Sequence, residues 1–362
     1  MRRAITGSLT ALALLTGIVG HALAQVQPPN NVPAGTSPAA VSALAARALK
    51  PDGKKGGKGK GPAGIMLPVF ISYRAWRGLV VVDALVNGNN PARFAISTGL
   101  NMSTVSPTET ARLQLTALDT RTHVTDLDVA ADGANATLKT LKLGAGVLHD
   151  VQVAQVNLLP LLTHGPMLDG PLCWLGTNWL SGYLVTFDFE SHSMTLNAPG
   201  AHFQEGDSAI VPFKLKDGRP VVKVTVAGAG TFDAVVDTGS VGTLIPASIA
   251  FKLKGKKQNK TPSTGMGVAG AGMTRMILPR IAVGKAELKS LMVAYFSDDA
   301  PVSANKNMAV IGMDFLRRFR VAISYKRSQM QFMPLQSAIV NPVSPVFPAV
   351  RNNAPLPGVN NK

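Results

Sequence analysis

Cysteine is nearly absent: Cys173 is the only one in 362 residues, so no disulfide can form within the chain. Its neighbours Leu172, Trp174 and Leu175 are apolar, and no histidine stands near it, which sets aside a thiolate nucleophile. Acidic side chains are also few, 20 Asp and Glu against 36 Lys and Arg, leaving a net charge of +16. Aromatics make up 6% of the chain and do not interleave with a basic stripe. The charge therefore gives long-range attraction to polyanions, without the features of a nucleic-acid reader. The six histidines (His21, His123, His149, His164, His192 and His202) form no metal pair at helical spacing, so neither metal nor cofactor is expected. Gly-x-Ser-x-Gly elbows and phosphate loops are missing too.

No apolar run is long enough for a membrane-spanning helix of about 20 residues. The run Leu9 to Val19 is short, follows Arg2 and Arg3, and leads to Ala22-Leu23-Ala24. This is the pattern of a signal peptide over residues 1–24, of bacterial export type, with Gln25 as the new N-terminus. The expected location is periplasmic or secreted. Residues 25–76 hold Pro28, Pro29, Pro33 and Pro38, then the Gly/Lys run from Lys50 to Lys60, and read as a disordered basic linker. A solvated tether is favoured over a segment that attaches to an anionic cell-surface polymer, so at most weak association with such polymers is expected. Residues 335–362, with Pro342, Pro345, Pro348, Pro355 and Pro357, read as a tail.

Between these ends the chain turns to short apolar strands broken by Gly, Asn and Pro. With 46% hydrophobic residues there is enough for two modest cores. The pattern also repeats itself. Leu79 to Val86, the turn Asn87-Gly88, and Arg93-Phe94-Ala95-Ile96 running into Ser97-Thr98-Gly99 are answered by Pro220 to Val226, Ala227-Gly228-Ala229-Gly230, and the strand entering Asp237. Leu141-Lys142-Leu143-Gly144 is answered by Ile281-Ala282-Val283-Gly284. From Leu175-Gly176-Thr177-Asn178 against Ile311-Gly312-Met313-Asp314, the match continues without a gap to Leu196 against Phe332. Its offset is constant at 136 residues, 311 minus 175.

The most specific stretch is Phe232 to Ser240. An apolar strand ends in a carboxylate, Asp237, and Thr238, Gly239 and Ser240 follow at once. A carboxylate at the end of a buried strand is costly unless it is used or paired. The stretch resembles the active-site signature of aspartic peptidases, and the two repeats in tandem resemble that family's two-lobed plan. The resemblance covers about residues 77–334. It implies an all-β chain of two retropepsin-like barrel lobes, 77–200 and 210–334, with a cleft between them that takes a peptide or protein substrate. It also implies Asp237 as the catalytic aspartate, supported by Thr238, Gly239 and Ser240. Gly265 to Gly270 matches a dinucleotide fingerprint letter for letter, but it follows a Lys-rich segment instead of a buried strand. In the resemblance it falls where the flap hairpin belongs, which makes Gly267, Gly270 and Gly272 flap candidates. Asp188 and Asp314 read as caps or turn residues.

One departure decides the chemistry. Ser97-Thr98-Gly99 stands in the first repeat where the family has Asp-Thr-Gly. In the family two aspartates share one proton, because like charges at close range cannot both ionise cheaply. Serine can neither carry that charge nor share that proton. Three arrangements stay open: an Asp237–Asp237 pair in a homodimer, a peptide-binding pseudopeptidase, or hydrolysis by Asp237 with Ser97.

Overall fold

The computed structural model describes residues 66–125, 130–156, 158, 173–253, 262–263, 273–296 and 309–335. The readings of the signal peptide, most of the linker, the tail beyond residue 335 and the three flap glycines lie outside these residues.

The first lobe runs through β1 (Val69–Ser72), β2 (Arg74–Trp76), β3 (Leu79–Val86), β4 (Asn90–Ile96), β5 (Thr104–Val105), α1 (Pro107–Arg112), β6 (Ala117–Thr125), β7 (Ala130–Leu143), β8 (Gly146–Gln155), β9 (Cys173–Leu175), α2 (Thr177–Leu180), β10 (Leu184–Asp188) and β11 (Ser193–Asn197). The second repeats this order with β12 (Ala209–Pro212), β13 (Lys214–Lys216), β14 (Arg219–Val226), β15 (Gly230–Val236), β16 (Leu244–Ile245), α3 (Ala247–Lys252), β17 (Pro262–Ser263), β18 (Met273–Val283), β19 (Ala286–Phe296), β20 (Ala309–Ile311), α4 (Met313–Leu316), β21 (Phe319–Ser324) and β22 (Gln329–Pro334). The fold is nearly all-β, as the sequence predicts.

Each lobe closes on itself. In the first, the ring runs β3-β4-β9-β5-β8-β7 and returns to β3, with β2 and β6 attached outside it. In the second it runs β14-β15-β20-β16-β19-β18 and returns to β14. Closure removes the sheet edges that would otherwise invite association. Alternation of side chains drives it. Along β1, Val69 and Ile71 are buried while Phe70 and Ser72 face outward. Inward apolar side chains of both lobes form a large core containing Phe94, Leu138, Phe187, Val224, Leu278 and Phe332, and a smaller cluster in the first lobe gathers Leu79, Val81, Ala95, Leu100, Val124 and Trp174.

A separate six-stranded sheet, in the order β1-β11-β10-β21-β22-β12, takes three strands from each lobe. At its centre β10 pairs antiparallel with β21, Thr186 opposite Ala322. Those two residues are themselves 136 apart, so the pseudo-twofold axis that relates the closing segments passes through this pair. Strands β1 and β2 fall within the segment read from sequence as linker. They are short alternating runs, and Pro68 directly before β1 continues the Pro- and Gly-rich composition of the preceding segment, which masks their start.

Two tight hairpins matter for the site. The turn Arg77-Gly78 joins β2 to β3, and Asp217-Gly218 joins β13 to β14. All four residues have positive φ, 48°, 87°, 51° and 75°, the geometry whose twist suits a two-residue hairpin. Each tip rests on the other lobe. A Cβ on Gly218 would lie 3.6 Å from Asn101 Cβ, and one on Gly78 would lie 3.2 Å from a Val241 methyl.

Candidate active site

Parallel pairing sets both motif residues at the ends of their strands. Beside β9, β4 ends and the Ser97 amide donates to Leu175 O at 3.0 Å. In the same way β15 ends beside β20, and the Asp237 amide donates to Ile311 O at 3.0 Å. The 136-residue repeat and the Thr-Gly motifs thus arrive at one place.

There the two turns lock together. Thr98 Oγ1 donates to Val236 O at 2.7 Å and accepts from the Thr238 amide at 3.1 Å. Thr238 Oγ1 donates to Ile96 O at 2.8 Å and accepts from the Thr98 amide at 3.2 Å. The grid is symmetric, and all four donors and acceptors are buried.

The residues it presents are not symmetric. Asp237 is 1% exposed and Ser97 is fully buried. Asp237 Oδ1 accepts three hydrogen bonds: from Ser97 Oγ at 2.8 Å, from the Gly99 amide at 3.0 Å and from the Gly239 amide at 2.7 Å. Among the described residues no donor reaches Oδ2. Burial pushes the Asp237 carboxyl above the ordinary carboxylate range, and the bonds from Gly239, Ser97 and Gly99 and the charge of Arg219 act against that rise. Ser240 serves the turn: its Oγ donates to Gly242 O at 2.8 Å and its carbonyl accepts from the Met313 amide at 2.8 Å.

Behind each motif a second bracket ties the turn to the closing segment. Asp314, 2% exposed, accepts from Thr243 Oγ1 at 2.6 Å, the Thr243 amide at 2.9 Å and the Phe315 amide at 2.8 Å. In the first lobe Asn178 Oδ1 accepts from the Ser103 amide at 2.7 Å and Ser103 Oγ at 2.8 Å, and its Nδ2 donates to Gln152 O. The sequence reading of Asp314 as a cap or turn residue thus needs enlarging. Only its place opposite Asn178 in the repeat signalled a shared role.

Removing this acceptor leaves the buried Thr243 amide and Thr243 Oγ1 without an acceptor, while the Phe315 amide keeps Gly312 O. Asp314→Ala is expected to lower stability by about 3 kcal/mol or more, and Asp314→Asn by less, since an amide does the work in the first lobe. Chemical denaturation measures both. Burial raises the folded pKa of Asp314 and of Asp237. Their contribution to stability is therefore full below the unfolded value of about 3.9 and is lost as pH rises through the folded values. Asp314→Asn should flatten the stability–pH curve over that range, where stability falls as pH rises.

The first lobe carries its own long hairpin, β6 with β7, which the sequence reading did not assign to the site. Asn101, four residues beyond Ser97, anchors it. The Asn101 amide donates to Thr125 O, Asn101 Nδ2 donates to His123 O, and Asn101 Oδ1 accepts from the Thr125 amide. In the second lobe β17 and β18 flank residues 264–272, which hold the flap candidates Gly267, Gly270 and Gly272. Cys173 is 1% exposed and burial pushes its thiol pKa up, which suits an inert core thiol. Among the described residues no cluster of three or more His, Cys, Asp or Glu could hold a metal. A cavity of about 640 Å³ lies on the outer wall of the first lobe, lined by Arg74, Asp83, Arg93, Glu109, Arg112 and Lys142 among others, and touches neither motif.

Family models match this chain lobe by lobe. A family model described as aspartyl protease matches residues 82–179, and one described as gag-polyprotein putative aspartyl protease matches residues 222–318. Similar solved structures include the aspartic proteinase from Irpex lacteus, 14% identical, covering 75% of this chain and 98% of that one with a TM-score of 0.47. They also include Basic 7S globulin from soybean, 11% identical, covering 78% of this chain and 98% of that one with a TM-score of 0.49. No curated protein matches.

Proposed function

The chain belongs to the retropepsin-like and pepsin-like aspartic peptidase family, one family model falling on each lobe, and from that premise we propose that it is an exported endopeptidase in which Asp237 activates the attacking water. The observation that carries this reading is the 2.8 Å hydrogen bond from Ser97 Oγ to Asp237 Oδ1 within one chain. Ser97 occupies the side of Asp237 where a second carboxyl would stand, and leaves Oδ2 to face a water. Ionised Asp237 takes a proton from that water as the water oxygen bonds to the peptide carbonyl carbon. It gives the proton to the amine nitrogen as the C–N bond breaks, which frees the amine and regenerates the carboxylate. Ser97 and the amides of Gly99 and Gly239 keep the carboxylate in one orientation throughout. An extended peptide lies between the lobes, held by backbone hydrogen bonds under the hairpins.

The intrachain pair favours the monomeric arrangement over an Asp237–Asp237 homodimer, because the position facing Asp237 is filled from its own chain. The same pair also supports a second reading, a peptide-binding pseudopeptidase, since no second carboxyl is present to donate a proton to the substrate carbonyl. Export follows from residues 1–24, and the mature chain is expected to begin at Gln25.

Digestion of a mixed peptide library from acid to neutral pH separates these readings. The wild type is expected to cleave, and Asp237→Asn to lower the rate by about three orders of magnitude or more. Cleavage that survives Asp237→Asn would overturn the aspartic peptidase reading. Absence of cleavage with retained peptide binding would establish the pseudopeptidase.

A further inference from the structure

Arg219 is a long cationic side chain essentially sealed from solvent, at 2% exposed. Among the described residues its Nε and Nη1 find no hydrogen-bond partner. Among the described residues its ion pair, from Nη2 to Asp217 Oδ2 at 3.3 Å, is with a carboxylate whose side chain is 57% exposed. A guanidinium removed from water with so little compensation is expensive, unless a second negative charge lies close by.

The register of the second barrel supplies that charge. Strands β14 and β15 pair with Val221 opposite Val235. Carried two residues further along each strand, that register sets Arg219 opposite Asp237, on the same face of the sheet. Directly opposed residues on one face have Cβ atoms about 5 Å apart. The first barrel pairs Val81 with Ala95, and the same extension sets Leu79 opposite Ser97. The lobe with the carboxylate carries a cation across from it, and the lobe with the neutral serine carries an aliphatic side chain there.

We propose that Arg219 is the fixed counter-cation of Asp237, a positioning residue that keeps this carboxylate charged in a buried site that has no second carboxyl. Its charge acts on Asp237 in the lowering direction, against the burial that raises it. The other titratable group whose interaction reaches Asp237 among the described residues is Tyr325, in the turn after β21. Burial and the Asp237 charge push Tyr325 up, so it stays neutral. Ser97 and Gly99 from the first lobe, and Thr238 and Gly239 on its own turn, contribute no charge. The inference rests on the proposed function only in naming Asp237 the base, and its test does not require turnover.

The test follows the carboxyl carbon of Asp237 by NMR through a pH titration of the full chain. Arg219→Met is expected to raise the midpoint by about one to three pH units. Arg219→Lys should restore most of the difference, and Leu79→Met, the equivalent position in the other lobe, should leave the midpoint unchanged. If cleavage is present, the acidic limb of its pH profile should move by the same amount. A midpoint that stays within about 0.3 units in folded Arg219→Met overturns the proposal. Thermal unfolding gives a second readout. Near neutral pH, Arg219→Met should lower Tm more beside Asp237 than in the Asp237→Asn background, where it removes an uncompensated cation. Equal losses, or failure to fold in both backgrounds, also overturn the proposal. Folding only in the Asp237→Asn background supports it.

Discussion

Gly99→Ala is expected to unfold the site. A Cβ added at Gly99 would lie 2.3 Å from Asp237 Cγ and 2.6 Å and 2.7 Å from its two oxygens. Real Cβ atoms do not come so close, so either Asp237 swings away or the turn opens. Swinging away breaks the bonds from Ser97 and from the Gly99 and Gly239 amides, and leaves buried donors without an acceptor. Opening the turn breaks the threonine grid that joins the lobes. Either route lowers stability by about 3 kcal/mol or more, a fall in Tm of roughly 6 to 12 °C for a chain of this size. Gly239→Ala should act alike, its Cβ falling 2.6 Å from Ser97 Oγ. Gly200→Ala is the control: the nearest atom would be Lys326 Nζ at 3.7 Å, and Tm should hardly change. A Gly99→Ala protein with wild-type Tm and wild-type peptide binding would contradict the packing described for the motif.

These glycines were readable from the sequence as part of a turn, but their reason was not. The sequence shows two Thr-Gly turns 140 residues apart, 237 minus 97, and a closing segment at an offset of 136. That is enough to place two like lobes face to face, because local alternation and turn chemistry are written in neighbouring residues. What escapes a linear reading depends on register and tertiary pairing. Arg219 reads as one more charge in Lys216-Asp217-Gly218-Arg219, beside an exposed hairpin. Only the β14–β15 register, carried two residues past the Val221–Val235 pair, sets it opposite Asp237. Asp314 reads as a cap or turn residue, and only the fold delivers Thr243 to it. Strands β1 and β2 are lost for another reason. They gain stability from β11 and β3 respectively, and an isolated four-residue alternation after a Gly/Lys-rich stretch carries little signal of its own.

The asymmetry between the lobes has a chemical consequence. In a paired dyad the proton is shared by like-charged partners, and the activity belongs to acid pH. Here the partner of Asp237 is a neutral hydroxyl that donates to it, and the opposing charge is a cation. Ionised Asp237 can serve as base, but the protonated partner that would assist the carbonyl is missing. The expected behaviour is slow hydrolysis whose acidic limb follows the ionisation of Asp237 alone.

Ser97→Asp is expected to change both rate and pH dependence. Ser97 Oγ already lies 2.8 Å from Asp237 Oδ1, so a carboxyl placed there meets Asp237 at the range where two carboxylates share a proton. Room for it exists by symmetry. Gly99 gives Asp237 its clearance, and Gly239 stands in the matching position against Ser97, where any side chain would collide. The substitution supplies the missing acid, and general acid catalysis is worth about 10² to 10⁴ in rate. At acid pH, Ser97→Asp should therefore raise cleavage of a peptide library by about 10²-fold or more over the wild type. Toward neutral pH both carboxyls tend to ionise, and the repulsion should lower Tm relative to the wild type. Ser97→Ala, which removes one donor to Oδ1, should lower any wild-type rate without moving its optimum toward acid. An acid-range gain in Ser97→Asp that disappears in Ser97→Asp/Asp237→Asn would assign the chemistry to the pair across the lobes. Folded Ser97→Asp protein with no gain at any pH would mean that the two motif turns, though locked by their threonines, do not present a working dyad.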